Sequence, residues 1–196
     1  EQVFTEADRN ANNPVLWFGE SQMSGNKILL LSDLETKKLD SIKITGNVFI
    51  IEKDTLSEEG YQQIKGGLLD GSFKEGKLDN IVITKNTEMV YYLYNDEDLQ
   101  LIGIDKTTCS ALQMNFVDGK IDDITFLVSP VGDVYPEEEI PLNDRTLKGF
   151  IWRIKERPET VEDLFDENDK EEQFPEILKF KFPLAPEEKE IEKIPQ

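Results

Sequence analysis

The chain has 196 residues, 41 acidic and 22 basic side chains, a net charge of -19, no histidine, one cysteine and 38% hydrophobic residues, enough for one large domain or two small ones. That charge repels a phosphate backbone and argues against nucleic acid as a partner. The lack of histidine removes the usual general base, the usual zinc ligand and every Ser-His or Cys-His pair.

Taken in chain order, Glu1 to Asn13 is polar and does not read as a signal peptide. No run approaches the roughly 18 apolar residues of a membrane span. From residue 15 to 154 helical periodicity is absent, and an internal repeat takes its place. The copies are KLDSIKI (Lys38 to Ile44), KLDNIVI (Lys77 to Ile83) and KIDDITF (Lys120 to Phe126), with offsets of 39 and 43 residues. An apolar strand and a polar turn precede each copy. A turn-like pair follows each, Gly46-Asn47, Lys85-Asn86 or Ser129-Pro130, and then a second extended run. Each unit therefore reads as strand, tight turn, strand, kink, strand. The Asp at the third position of each copy, Asp40, Asp79 and Asp122, reads as a turn former capping backbone N–H groups.

Period-2 alternation sorts the strand residues onto faces. Ile42, Ile44, Val48 and Ile50 share one face, as do Ile81, Ile83, Met89 and Tyr91 in the second copy and Ile124 and Phe126 in the third. A one-residue bulge at Gly46 or Asn86 would flip the parity and bring Phe49, Val90 and Tyr92 to that face instead. Some stretches are apolar on both faces, which predicts strands sandwiched between layers or a face that meets something other than water. The fold expected is all-β, a jelly-roll or short stack of three strand-turn-strand repeats, with open sheet edges as docking surfaces.

After residue 154 the character changes. Lys155 to Gln196 holds 14 acids, 7 bases and five of the nine prolines, which predicts an acidic, partly disordered tail. Within it, 160–166 reads as a short helix with Thr160 as N-cap, and Ile177 to Phe182 alternates as an edge strand would. The domains expected are thus 1–154 and 155–196.

No site chemistry stands out. Cys109 is alone, with no disulfide partner and no redox pair, and reads as a small buried hydrophobe. Asn95 to Asp98 lacks the Gly and Glu that an EF-hand loop would need, and reads as a solvated hairpin tip. There is no P-loop, GxGxxG or nucleophile elbow. The reading is a non-enzyme with no catalytic residue, metal or cofactor. An apolar trough is the alternative to an ordinary core for the striped face, with Lys43, Lys53, Lys65, Lys77, Lys85 and Lys120 near strand ends where they could meet anionic head groups.

The repeat, together with GYQQIKG (Gly60 to Gly66), LIGIDK (Leu101 to Lys106) and KGFIWR (Lys148 to Arg153), resembles OstA-like proteins, the family of the LptA-type component of lipopolysaccharide export in Gram-negative cells. The resemblance runs from about Pro14 to Phe165 and looks like the C-terminal part of a longer chain. It implies a periplasmic β-jelly-roll whose apolar interior carries the acyl chains of lipid A between the inner and outer membranes, in outer-membrane biogenesis. It also implies edge-to-edge stacking with other jelly-roll proteins of the bridge, and self-association. The trough candidates are Ile42, Ile44, Val48, Ile50, Ile81, Ile83, Met89, Tyr91, Ile124 and Phe126. The rival reading is a structural β-repeat module that docks protein partners through its sheet edges. The KGFIWRIKERP segment is expected to cap the last repeat, with Phe150 and Trp152 on the covering face.

Overall fold

The computed structural model describes residues 2–4, 13–117 and 120–160. The stretch 177–182, whose alternation could add an edge strand to an otherwise disordered tail, and the helix expected over 160–166 but for Thr160, lie outside them. The chain divides into units 1–153 and 154–196, one residue ahead of the expected boundary. Of the second unit only 154–160 is described, with one 3-10 turn at Ile154–Glu156.

The first unit is a single antiparallel sheet. Its strands are β1 (Gln2–Phe4), β2 (Val15–Phe18), β3 (Ser21–Ser24), β4 (Lys27–Ser32), β5 (Leu39–Lys53), β6 (Tyr61–Lys74), β7 (Lys77–Tyr94), β8 (Leu101–Val117), β9 (Lys120–Val128) and β10 (Val131–Tyr135). From β4 to β8 the spatial order is the chain order. Each step is a hairpin, so short local turns fix the register. The tightest turn uses Glu75 and Gly76, both at positive φ.

The long strands are creased in the middle. Gly46 and Asn47 on β5, and Lys85 and Asn86 on β7, all take positive φ, and Ser129 does so between β9 and β10. The ladder shifts register at the same level, between Thr45 and Val48, Lys65 and Leu68, and Thr84 and Thr87. The crease divides the sheet in two. The repeat half-sheet holds β4, β9, the starts of β5 and β7 and the ends of β6 and β8. The strap half-sheet holds β2, β3, β10 and the other halves of β5 to β8. A close approach at the crease demands Gly66, where a Cβ would lie 2.5 Å from the Cγ2 of Ile83.

The three repeat copies open β5, β7 and β9. Their shared Asp is not a hairpin cap, and this corrects the sequence reading. The ladder shifts register between Leu39 and Ser41, between Leu78 and Asn80, and between Ile121 and Asp123. Asp40, Asp79 and Asp122 are therefore the extra residues of three bulges. Two of these bulges let apolar residues three apart in sequence face the same side, Leu78 with Ile81 and Ile121 with Ile124.

Pro136 to Arg153 then crosses the outer face of the strap half-sheet as a strap with two 3-10 turns, Glu137–Glu139 and Leu142–Asp144. Ile140, Leu147, Phe150 and Trp152 pack there on Phe49, Ile51, Val90, Tyr92 and Ile104. Two glutamines with 1% exposure fasten it. Gln63 Nε2 donates to the Arg145 carbonyl at 2.8 Å, and its Oε1 accepts from Leu147 N–H at 2.9 Å. Gln22 repeats the pattern, donating to the Ile151 carbonyl at 2.9 Å and accepting from Arg153 N–H at 2.7 Å. Each amide thus satisfies a carbonyl and an N–H that an irregular buried segment would leave unpaired. Phe150 and Trp152 lie on Tyr61 of β6, and Trp152 also on Trp17 of β2. The segment therefore covers the N-terminal strands of the sheet as well as the last ones, rather than capping the final repeat.

Candidate ligand-binding cleft

The two half-sheets face each other across one apolar interior. All ten residues singled out in the sequence lie in it: Ile42, Ile44, Val48, Ile50, Ile81, Ile83 and Met89 are buried there, and Tyr91, Ile124 and Phe126 pack against them half-buried. Phe49, Val90 and Tyr92 belong to the opposite face, under the strap. Parity survives the crease because two residues there, not one, take the left-handed conformation. In ITGNV (Ile44 to Val48) and ITKNT (Ile83 to Thr87) the inward positions fall four apart, an even spacing.

The repeat is legible in the register. One rung across the repeat half-sheet runs Leu30, Ile42, Gly71, Ile81, Met114, Ile124. The next runs Ile28, Ile44, Leu69, Ile83, Leu112, Phe126. Equivalent repeat positions thus share a rung, with β6 and β8 interposed. The sequence reading omitted the residues that β6 and β8 supply, although strands lying between copies must present the same face. The facing rung on the strap half-sheet is Met23, Ile50, Ile64, Met89, Thr107, Gly132.

Depth varies along the cleft. Near the crease it is filled by its own side chains, with Ile44, Leu69, Ile83 and Leu112 at 0% exposure. Each such side chain contributes about 1.5–3 kcal/mol of hydrophobic stabilisation. Away from the crease the lining is only half-buried and more aromatic: Phe18, Phe73, Tyr91, Phe116 and Ile121 among others. Phe18 and Phe73 meet edge to face at 5.9 Å between ring centres, joining β2 of one half-sheet to β6 of the other.

The chemistry inside is nearly all hydrocarbon. Thr87 donates to the Ile83 carbonyl and Thr107 to Asp105, so these inner hydroxyls are satisfied within the protein. Cys109 is buried in the cluster, and burial pushes its thiol pKa up, opposed by the Ala111 N–H. Burial also raises the Tyr91 phenol, helped by the Glu52 and Asp54 carboxylates. Two of the six lysines considered for head groups are committed elsewhere. Lys43 pairs with Asp70 at 2.8 Å and Lys65 with Glu88 at 2.9 Å, and both stand at positions of opposite parity to the cleft residues. Among the described residues no group of three or more His, Cys, Asp or Glu side chains is placed to hold a metal ion, and no helix is long and apolar enough to cross a membrane.

Compared with protein-family models, with curated proteins and with solved structures, the chain matches none.

Proposed function

We propose that this chain is a non-enzymatic lipid-binding component of a periplasmic bridge, an OstA-like protein that carries the acyl chains of lipopolysaccharide between inner and outer membrane. The observation that carries the reading is the cleft itself: two half-sheets facing across an interior of aliphatic side chains, with a half-exposed rim that includes aromatic rings. An acyl chain needs apolar area and no polar complement, so such an interior suits it. Among the described residues β9 and β10 each pair with β8 alone, and at such a sheet edge further jelly-roll proteins, or a second copy, could continue the sheet.

A titration with a fatty acid carrying an environment-sensitive fluorophore tests the reading. Saturable, blue-shifted emission is expected, lost in Ile124→Glu on the cleft face and retained in Leu127→Glu, whose side chain is 47% exposed. Absence of any response from the unaltered chain overturns it.

A second reading, a docking module for protein partners, has its own observation. On β10, Val131 is 72% and Val134 50% exposed at the sheet edge. Exposed apolar edge strands favour addition of another chain. That reading predicts partner binding with no response to the fatty acid.

A further inference from the structure

The two lips of the cleft differ in chemistry. On the repeat half-sheet the outermost inward pairs are Phe73 with Leu78 and Phe116 with Ile121, all within the apolar cluster or packed against it. On the strap half-sheet the next inward rung beyond Met23, Ile50, Ile64 and Met89 turns polar. There Ser21 pairs with Glu52, Glu52 with Gln62, and Tyr91 with Asp105, and these side chains are half-buried. Glu52 accepts from Ser21 and Asp105 from Thr107, each through one carboxylate oxygen, whereas a carboxylate offers about four acceptor sites. A cavity of about 380 Å³ opens at this lip, lined by Glu52, Asp54, Gln62, Tyr91 and Asp96 among others. Lys53 is the one basic residue among the described residues that line it. Asp54 is already engaged, accepting from the N–H groups of Leu56 and Ser57, from Gln62 and from Tyr94. No lysine or arginine stands on this rung or on the three cleft rungs given above.

We infer that Glu52 and Asp105 on the strap lip select the lipid's head group, favouring one that donates hydrogen bonds and carries no negative charge, an ammonium or a sugar hydroxyl; this rests on the lipid-binding reading above. The acyl chain lies in the hydrocarbon interior, and the head supplies donors to the acceptor sites that Ser21 and Thr107 leave on the two carboxylates. A phosphate or carboxylate head at the same place meets two like charges with no cation on the rung to offset them. In lipopolysaccharide the sugar hydroxyls would meet this lip, with the phosphates held away from it. Carboxylates thus replace the lysines considered earlier as the head-group contacts.

Displacement of an uncharged apolar dye, N-phenylnaphthylamine, from the full chain tests the selection. Four competitors share one dodecyl chain and differ in the head: dodecylamine, dodecyl maltoside, laurate and dodecyl phosphate, each kept below micelle formation. The amine and the maltoside are expected to displace the dye at about three- to tenfold lower concentration than the two anions, the size of one or two half-exposed charge contacts. The stronger of those two tells ammonium from hydroxyl. The isosteric pair Glu52→Gln and Asp105→Asn should bring the anions to within about twofold of the maltoside. The pair Asp70→Asn and Asp123→Asn removes as much charge from the opposite face of the sheet and should leave the ratio unmoved, which separates the lip from the net charge of -19. Equal displacement by all four competitors, or the same shift in both paired variants, overturns the selection and leaves the lipid reading standing. No dye binding and no competitor binding by the unaltered chain overturns the lipid reading, and the selection with it.

Discussion

The two half-sheets are cut from the same long strands, yet their sequences read differently. In the repeat half-sheet the pattern alternates in stretches such as Ile42-Lys43-Ile44 and Ile124-Thr125-Phe126, because one face looks into the cleft and Lys43 on the other lies open beside Asp70. In the strap half-sheet the runs VFII (Val48 to Ile51) and MVYY (Met89 to Tyr92) are apolar throughout. There the cleft takes Val48, Ile50 and Met89 while the strap covers Phe49, Ile51, Val90 and Tyr92. A strand covered on both faces loses its alternation. On β5 and β7 the loss of alternation therefore coincides with a second layer, even though that layer, residues 136–153, has no regular pattern of its own.

Substitutions should separate the halves by size of effect. Ile83→Ala, at the shared rung and fully buried, should cost about 2–5 kcal/mol in denaturant unfolding; a cost below 1 kcal/mol would mean the interior is loosely packed. Gln63→Ala should cost about 1–3 kcal/mol, because it strands the Arg145 carbonyl and the Leu147 N–H. Hydrogen exchange should then show faster exchange at Leu147 with the repeat half-sheet still protected; equal loosening of both halves would contradict their distinct coverings.

Alkaline pH should act on the strap half-sheet. Burial raises the pKa of Tyr91, Tyr92 and Tyr94 above the ordinary 10.0, and for Tyr94 the bond it donates to Asp54 adds to the effect. The folded state favours the neutral phenols, so this stability is complete below pH 10.0 and is lost as pH rises through that value toward the folded pKa. Unfolding followed from pH 8 to 11 should show the decline, and Tyr94→Phe should flatten it; an unchanged slope would place the dependence elsewhere. The smallest effect belongs to Lys43→Ala on the open face, where both partners are about half exposed and the pair is worth about 0–1 kcal/mol. A thermal melt moved by many degrees would mean that this face is covered after all.

Much of the cleft was legible in the sequence because alternation and repeat encode burial directly. The ten inward residues share one cluster, and the solvated tip at Asn95 to Asp98 is an exposed turn. What escaped has physical reasons. Asp40, Asp79 and Asp122 look like turn formers, and nothing local distinguishes a turn Asp from the extra residue of a bulge; only the cross-strand register does. Gln22 and Gln63 lie in ordinary strand patterns as polar residues, and their partners are 129 to 131 and 82 to 84 residues away. Contacts at that separation leave no periodic trace. The covering role of Phe150 and Trp152 could be read from their spacing, whereas the strands they cover could not.

The most direct test of the central claim, that the apolar interior is a lipid site, is photo-crosslinking to purified lipopolysaccharide. A photoreactive residue would replace Phe126, half-buried against the cleft cluster, and in a matched control its neighbour Leu127, which is exposed. The account predicts crosslinking at 126 with little at 127. Equal labelling of the two positions, or none at either, would contradict it and move the function to the sheet edges.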